Sequence, residues 1–250
     1  MRRSSRQEIL SRRVAFLKKV PLFADLSEAE LTTLVDDLHP REFNKDEIVF
    51  RQGDHSRELY IVMRGKIRIF KISPSGAETT INIYSISSVM GEFAVVDSEP
   101  RSATAKAIEA TDLLVMSHDK FLHYRRLMPD LAWGMTKVLA SRARWTAAYA
   151  ETIAQYDAAG RLLHILLLYN EQFGEEQEAG KRYVLDLSLN QTDLASLVGA
   201  RREWVNRLLR DWQKRNLVAY EGGKIIILDL PRARAERDSR IEANLGEAGW

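Results

Sequence analysis

Arg202, Glu203 and Arg207 set two guanidinium groups and one carboxylate at spacings of one and then four. On a helix these spacings bring all three to one side. A guanidinium can bond guanine O6 and N7 together, and a carboxylate can accept from cytosine N4, so the start of such a helix laid in a major groove would read base edges. The same residues could instead form a solvated face laced by ion pairs such as Glu203 with Arg207. The preceding residues favour groove reading. Ala195 is small where a second helix must cross, Gly199 can take the left-handed turn conformation, and Leu194, Val198, Val205 and Leu208 can pin two helices together as a helix-turn-helix. Gln191 opens the first helix of this pair. Arg201, Arg210, Lys214 and Arg215 add positive charge to the second, although the whole chain carries only +2. Gln191, Arg201, Arg202, Glu203 and Arg207 are therefore the candidate contacts to double-stranded DNA.

The composition narrows the other possibilities. A 250-residue chain that is 45% hydrophobic can build packed cores, and the absence of cysteine removes disulfides, thiolate metal sites and cysteine-held iron-sulfur clusters. His39, His55, His118, His123 and His164 are scattered, and even His118 with His123 misses the one-turn spacing of paired ligands, so no metal site is expected. The chain has no nucleophile elbow, phosphate-cradling Gly-x-x-x-x-Gly-Lys loop or zinc-hydrolase helix, which argues against an enzyme and a catalytic cofactor. The arginine-rich start, Arg2 to Arg13, lacks the apolar segment of a signal peptide, and no run approaches the ~20 apolar residues of a membrane span; a cytoplasmic protein without membrane contact is expected.

The elements that would position these residues follow from periodicity. Ser27 and Glu30 have capping-box spacing ahead of a short helix. From about Arg41 to Ser117, brief β-branched and aromatic runs separated by turn residues predict a jelly-roll-like barrel. A helix without internal proline runs from Pro129 to about Asp157. Its Met135, Val138, Arg142, Trp145, Tyr149, Thr152 and Tyr156 alternate at three and four, a seam that predicts dimerisation through a partner helix, with packing on its own domain as the alternative. A further helix spans Gly160 to Tyr169, Glu171 to Lys181 reads as a solvated acidic loop, and Leu217 to Leu228 as a hairpin turning at Gly222-Gly223. The expected organisation is an α+β chain with a sensor roll over 14–128, a dimerisation helix and hinge over 129–157, a winged helix-turn-helix over 158–230 and a charged tail over 231–250 that is frayed or helical.

Val198-Gly199-Ala200-Arg201-Arg202-Glu203-Trp204-Val205-Asn206-Arg207 resembles the recognition element of the cAMP receptor protein/FNR family, Val-Gly-x-x-Arg-Glu-x-Val-x-Arg. Trp204 stands where that family commonly has a small hydroxyl residue. Gly91-Glu92-Phe93-Ala94 followed by Pro100-Arg101-Ser102-Ala103-Thr104 is similar to the phosphate-binding cassette of cyclic-nucleotide-binding domains. The resemblance implies a regulator with an N-terminal cyclic-nucleotide-binding β-roll, in which Arg101 neutralises the cyclic phosphate, Ser102 and backbone N–H groups complete its hydrogen bonds, and Glu92 accepts from the ribose 2′-hydroxyl. Gly91, Phe93 and Ala103 complete the cassette. Thr146 aligns with the family threonine that contacts adenine, and Ala147 replaces the serine donated by the other subunit. Cyclic AMP is the expected effector, with cyclic GMP, cyclic di-GMP or an empty pocket as alternatives. The expected partners are a second copy, RNA polymerase and an inverted-repeat DNA with TGTGA-like half-sites. A constitutive architectural protein with a vestigial pocket is the contrasting reading.

Overall fold

The computed structural model describes residues 2–241, which form two compact units. The first holds residues up to Ala77 and Ile81–Arg144. It opens with helices α1 (Arg2–Leu17) and α2 (Glu28–Val35), the latter started by the expected reciprocal capping box of Ser27 and Glu30. Helix therefore begins well ahead of Val14, in the arginine-rich segment. The strands are β1 (His39–Phe43), β2 (Ile48–Phe50), β3 (Leu59–Arg64), β4 (Ile67–Ile72), β5 (Glu78–Tyr84), β6 (Val89–Met90), β7 (Thr104–Ala107) and β8 (Thr111–Met116), with the short helix α3 (Glu92–Val96) between β6 and β7. Helices α4 (His118–Leu127) and α5 (Pro129–Gln155) follow.

Two four-stranded sheets, ordered β1-β8-β3-β6 and β2-β7-β4-β5, make the roll. Alternation along β3 and β8 explains why these strands read as unbroken apolar runs. Tyr60, Val62, Leu113 and Val115 join Phe50, Ile67 and Ala105 in one core, while Leu59, Ile61, Leu114 and Met116 join Leu17, Phe23, Leu31, Phe121 and Leu131 from the helices in another. Both faces are dry, so neither face of these strands needs polar residues.

The second unit contains Glu78–Thr80 and the chain from Trp145 onward. Its helices are α6 (Ala158–Phe173), α7 (Gln191–Ser196), α8 (Arg202–Lys214) and α9 (Leu230–Asp238), and its strands are β9 (Gly174–Glu178), β10 (Arg182–Asp186), β11 (Val218–Glu221) and β12 (Lys224–Ile227). The hairpin β11-β12 turns as expected at Gly222 and Gly223, with φ of 57° and 90°. The acidic stretch corrects the expectation of a loop: β9 and β10 extend the hairpin into a sheet ordered β11-β12-β10-β9. Its glutamates lie on an exposed edge strand, where charge replaces the apolar alternation that marks a half-buried strand. The tail is helical through Asp238, with Leu230 and Ala233 buried; residues 242–250 of the expected tail lie outside the described residues.

A chain of charges ties α9 to both ends of this unit. Arg240 bonds Asp157, the N-cap of α6, at 3.1 Å and Glu236 at 2.7 Å; Glu236 also pairs with Arg215, which reaches Asp211 on α8 at 3.2 Å. Nearby, His164 stacks on Tyr156 with ring centroids 5.2 Å apart. Burial, reinforced by the charge of Arg237, holds the His164 pKa below its ordinary 6.5. The depressed folded pKa means that neutral His164 contributes stability fully present above pH 6.5 and lost as pH falls below it. The thermal midpoint of this unit is expected to fall as the pH drops below 6.5, and His164→Gln to flatten that part of the profile. An unaltered slope in the variant would remove His164 as its source.

Candidate ligand pocket and DNA-reading helix

Arg101 and Glu92 are each only 3% exposed, an arrangement that water-seeking charges tolerate only when paired. Gly91 precedes α3 at φ 83°, and a Cβ there would lie 2.5 Å from Arg101 Nη1 and 2.8 Å from the Glu58 carbonyl oxygen. Glycine is thus required both by the left-handed backbone and by the guanidinium beside it. Arg101 donates from Nε to Ser56 Oγ at 3.1 Å, from Nη1 to the Gly91 carbonyl at 3.1 Å and from Nη2 to the Glu58 carbonyl at 2.8 Å. A guanidinium has five N–H groups; among the described residues these three bonds leave one on each terminal nitrogen, donors that an anion could accept. The guanidinium also covers the Phe50 ring at 4.3 Å, and desolvation pulls its pKa down.

Arg142 completes the cluster, and sequence periodicity assigned it to a dimer seam instead. From α5 its Nε bonds Glu92 Oε1 at 3.0 Å, its Nη2 donates to the Val89 carbonyl at 2.8 Å, and its guanidinium lies 4.1 Å over the Tyr84 ring. The buried carboxylate of Glu92 is thereby neutralised and oriented, with its second oxygen outside this ion pair. Within the first unit the structure thus unites Gly91, Glu92 and Arg101 with Arg142, Ser56 and Tyr84. Ala103 is buried beside Arg101, whereas Phe93 and Ser102 are exposed. Thr146 and Ala147 belong to the second unit and are exposed on α5.

The rest of the expected seam is likewise packed on its own chain. Met135 and Val138 lie in the helix-facing core, Trp145 stacks on Tyr169 at 5.9 Å, Tyr149 donates to the Leu197 carbonyl at 3.0 Å, Thr152 is buried, and Tyr156 meets His164. A three-four rhythm reports that a helix face is covered, whichever chain covers it. Another face of α5, Trp133, Thr136, Ala140, Ala143, Ala147, Ala150 and Ala154, repeats at the same rhythm and is at least partly exposed throughout.

In the second unit, α7 starts at an Asn190–Asp193 capping box and Gly199 takes φ 65°, as the helix-turn-helix pattern requires. Leu194, Ala195, Val198 and Val205 are buried where α7 meets α8. Val205, Leu209 and Trp212 face inward, leaving Arg202, Glu203, Arg207 and Arg210 exposed, with Arg201 exposed at the N-cap and Trp204 half-buried. Gln191 Nε2 donates to Asn206 Oδ1 at 2.8 Å, joining the first residue of α7 to α8. Among the described residues, no three metal-ligating side chains gather into a site.

Residues 40–126 match the cyclic nucleotide-binding domain and residues 160–235 the Crp-like helix-turn-helix domain. The chain is 30% identical over 216 residues to the CRP-like cAMP-activated global transcriptional regulator of Mycobacterium tuberculosis (strain CDC 1551 / Oshkosh), covering 86% of this chain and 96% of that one. It is 28% identical to the cyclic AMP receptor protein of Thermus thermophilus, covering 84% and 93%. The fold also matches the c-di-GMP responsive global regulator CLP of Xanthomonas campestris, with a TM-score of 0.68, 21% identity and coverage of 80% and 99%. This chain belongs to the cAMP receptor protein/FNR family of transcription regulators. Members of this family are dimeric DNA-binding proteins.

Proposed function

We propose that this chain is a cytoplasmic, non-enzymatic homodimeric regulator that binds cyclic AMP and reads an inverted-repeat DNA with TGTGA-like half-sites, in contact with RNA polymerase. The observation that carries the effector reading is the buried pair of Arg101, with one N–H left on each terminal nitrogen, and Glu92, held by Arg142. The arginine suits the cyclic phosphate, the free carboxylate oxygen suits a ribose hydroxyl, and Ser102 with nearby backbone N–H groups adds donors. The names of the Mycobacterium and Thermus relatives agree with cyclic AMP. Arg202, Glu203 and Arg207 provide base contacts, with Gln191 and Arg201 at the helix starts.

Calorimetric titration with cyclic AMP, cyclic GMP and cyclic di-GMP, with DNA affinity measured before and after, tests this reading. Cyclic AMP is expected to bind and raise DNA affinity; DNA affinity indifferent to all three would favour the constitutive architectural protein. Arg202→Ala is expected to relax selection at one guanine and cost about 1–3 kcal/mol of specific binding. The homodimer forms across the alanine face of α5, where small side chains at heptad spacing let two helices approach closely. Ala143→Glu with Ala150→Glu is therefore expected to convert dimer to monomer in analytical ultracentrifugation, since four carboxylates, two from each helix, would be buried at the seam. A dimer of unchanged stability would place the interface elsewhere.

A further inference from the structure

We infer that Asn206 is an additional base-reading residue, selecting adenine within the half-site, and that Gln191 positions it; this rests on the reading that α8 enters the major groove. At about 100° of rotation per residue, taking Arg202 as zero, Asn206 lies at about 40°, Arg210 at about 80°, Glu203 at about 100° and Arg207 at about 140°. The buried residues Trp212, Val205 and Leu209 fall at about 280°, 300° and 340° on the same scale. Asn206 therefore sits inside the arc bounded by Arg202 and Arg207. Any groove that receives those two arginines also receives the amide between them.

The chemistry of that amide is specific. Adenine presents the N7 acceptor beside the N6 donor, and an asparagine side chain bonds both at once. Gln191 Nε2 takes one lone pair of Asn206 Oδ1. The second lone pair and the Nδ2 hydrogens remain, which is the acceptor and donor set that adenine requires. The Gln191 bond fixes the amide plane before DNA arrives, so less rotational freedom is lost on binding. Asparagine is also a weak helix former, and here, in the second turn of α8, it caps no helix end. Its bond joins the opening residue of α7 to α8, so the two helices of the pair are tied at the amide itself.

Selection of binding sites from randomised half-sites, with the full chain in the presence and absence of cyclic AMP, tests the inference. Asn206→Ala is expected to lower adenine preference at one position of each half-site about tenfold or more, leaving the other positions unchanged. Asn206→Asp removes the donors and leaves acceptors, so the same position should move toward cytosine, a new preference that misfolding cannot create. Gln191→Ala should weaken the adenine preference while the guanine positions stand. Arg202→Ala is the control and should relax a guanine instead. If Arg202→Ala changes its guanine while both Asn206 variants keep every base preference, or lose affinity uniformly for all sequences, the inference fails and the groove reading survives. If the unaltered chain selects no site under either condition, both fall.

Discussion

Arg101→Leu is expected to remove cyclic-nucleotide binding, by at least a factor of about 100 in calorimetric titration, and to destabilise the first unit by about 2–4 kcal/mol. The first effect follows from losing the charge-assisted bonds that two free N–H groups would make to a phosphate. The second arises because the same side chain satisfies the Gly91 and Glu58 carbonyls and Ser56, and leucine leaves those acceptors without donors. The loss of affinity alone would not separate a ligand contact from a structural strut. Arg101→Lys makes the distinction, since it keeps the charge while surrendering the planar fork. It should retain weak binding, at least tenfold below the unaltered chain, with a smaller loss of stability. An unchanged affinity in Arg101→Leu would refute the phosphate role.

Gly134→Ala is expected to destabilise the first unit by about 3 kcal/mol, at the upper end of the cost of overpacking a core. A Cβ at this position would lie 2.1 Å from the Leu22 carbonyl oxygen and 2.9 Å from its carbon. Both atoms are backbone, in the turn Pro21–Phe23 whose leucine and phenylalanine are buried, so no flexible side chain can yield. Helix propensity alone gives the opposite sign: alanine in place of a helical glycine stabilises by about 1 kcal/mol. The close approach of α5 to this turn decides the outcome. Urea unfolding should show a lower midpoint for the transition of this unit at unchanged slope; a raised midpoint would mean that the helix shifts at little cost.

The helix-turn-helix was legible because its determinants are local. A small residue at Ala195, a left-handed turn at Gly199 and the burial pattern of Leu194, Val198 and Val205 lie within a few turns of one another. The paired cassette residues Glu92 and Arg101 were likewise legible through resemblance. What completes the pocket was hidden for two reasons. The Glu58 and Gly91 carbonyls leave no trace in side-chain identity, and Arg142 reaches Glu92 across 50 residues of sequence. Its place in a run of covered positions made Arg142 look like a coiled-coil residue, because periodicity identifies the buried face without identifying its cover. The alanine face escaped notice for the converse reason: alanine is too weakly hydrophobic to mark a stripe. Strand β9 was missed because an exposed edge rich in glutamate has the composition of a loop.

Chain ends commonly open before the body of a domain, since little holds them. Here the last described turn is held by the carboxylates of Asp157 and Glu236, and through Glu236 and Arg215 it connects to Asp211 on α8. Peeling α9 away would uncover Ala233, uncap Arg215 and break the Arg240 bond at the start of α6 in one event. Helix α9 is therefore expected to belong to the same cooperative unfolding unit as the helix-turn-helix, its amides exchanging as slowly as that whole unit opens.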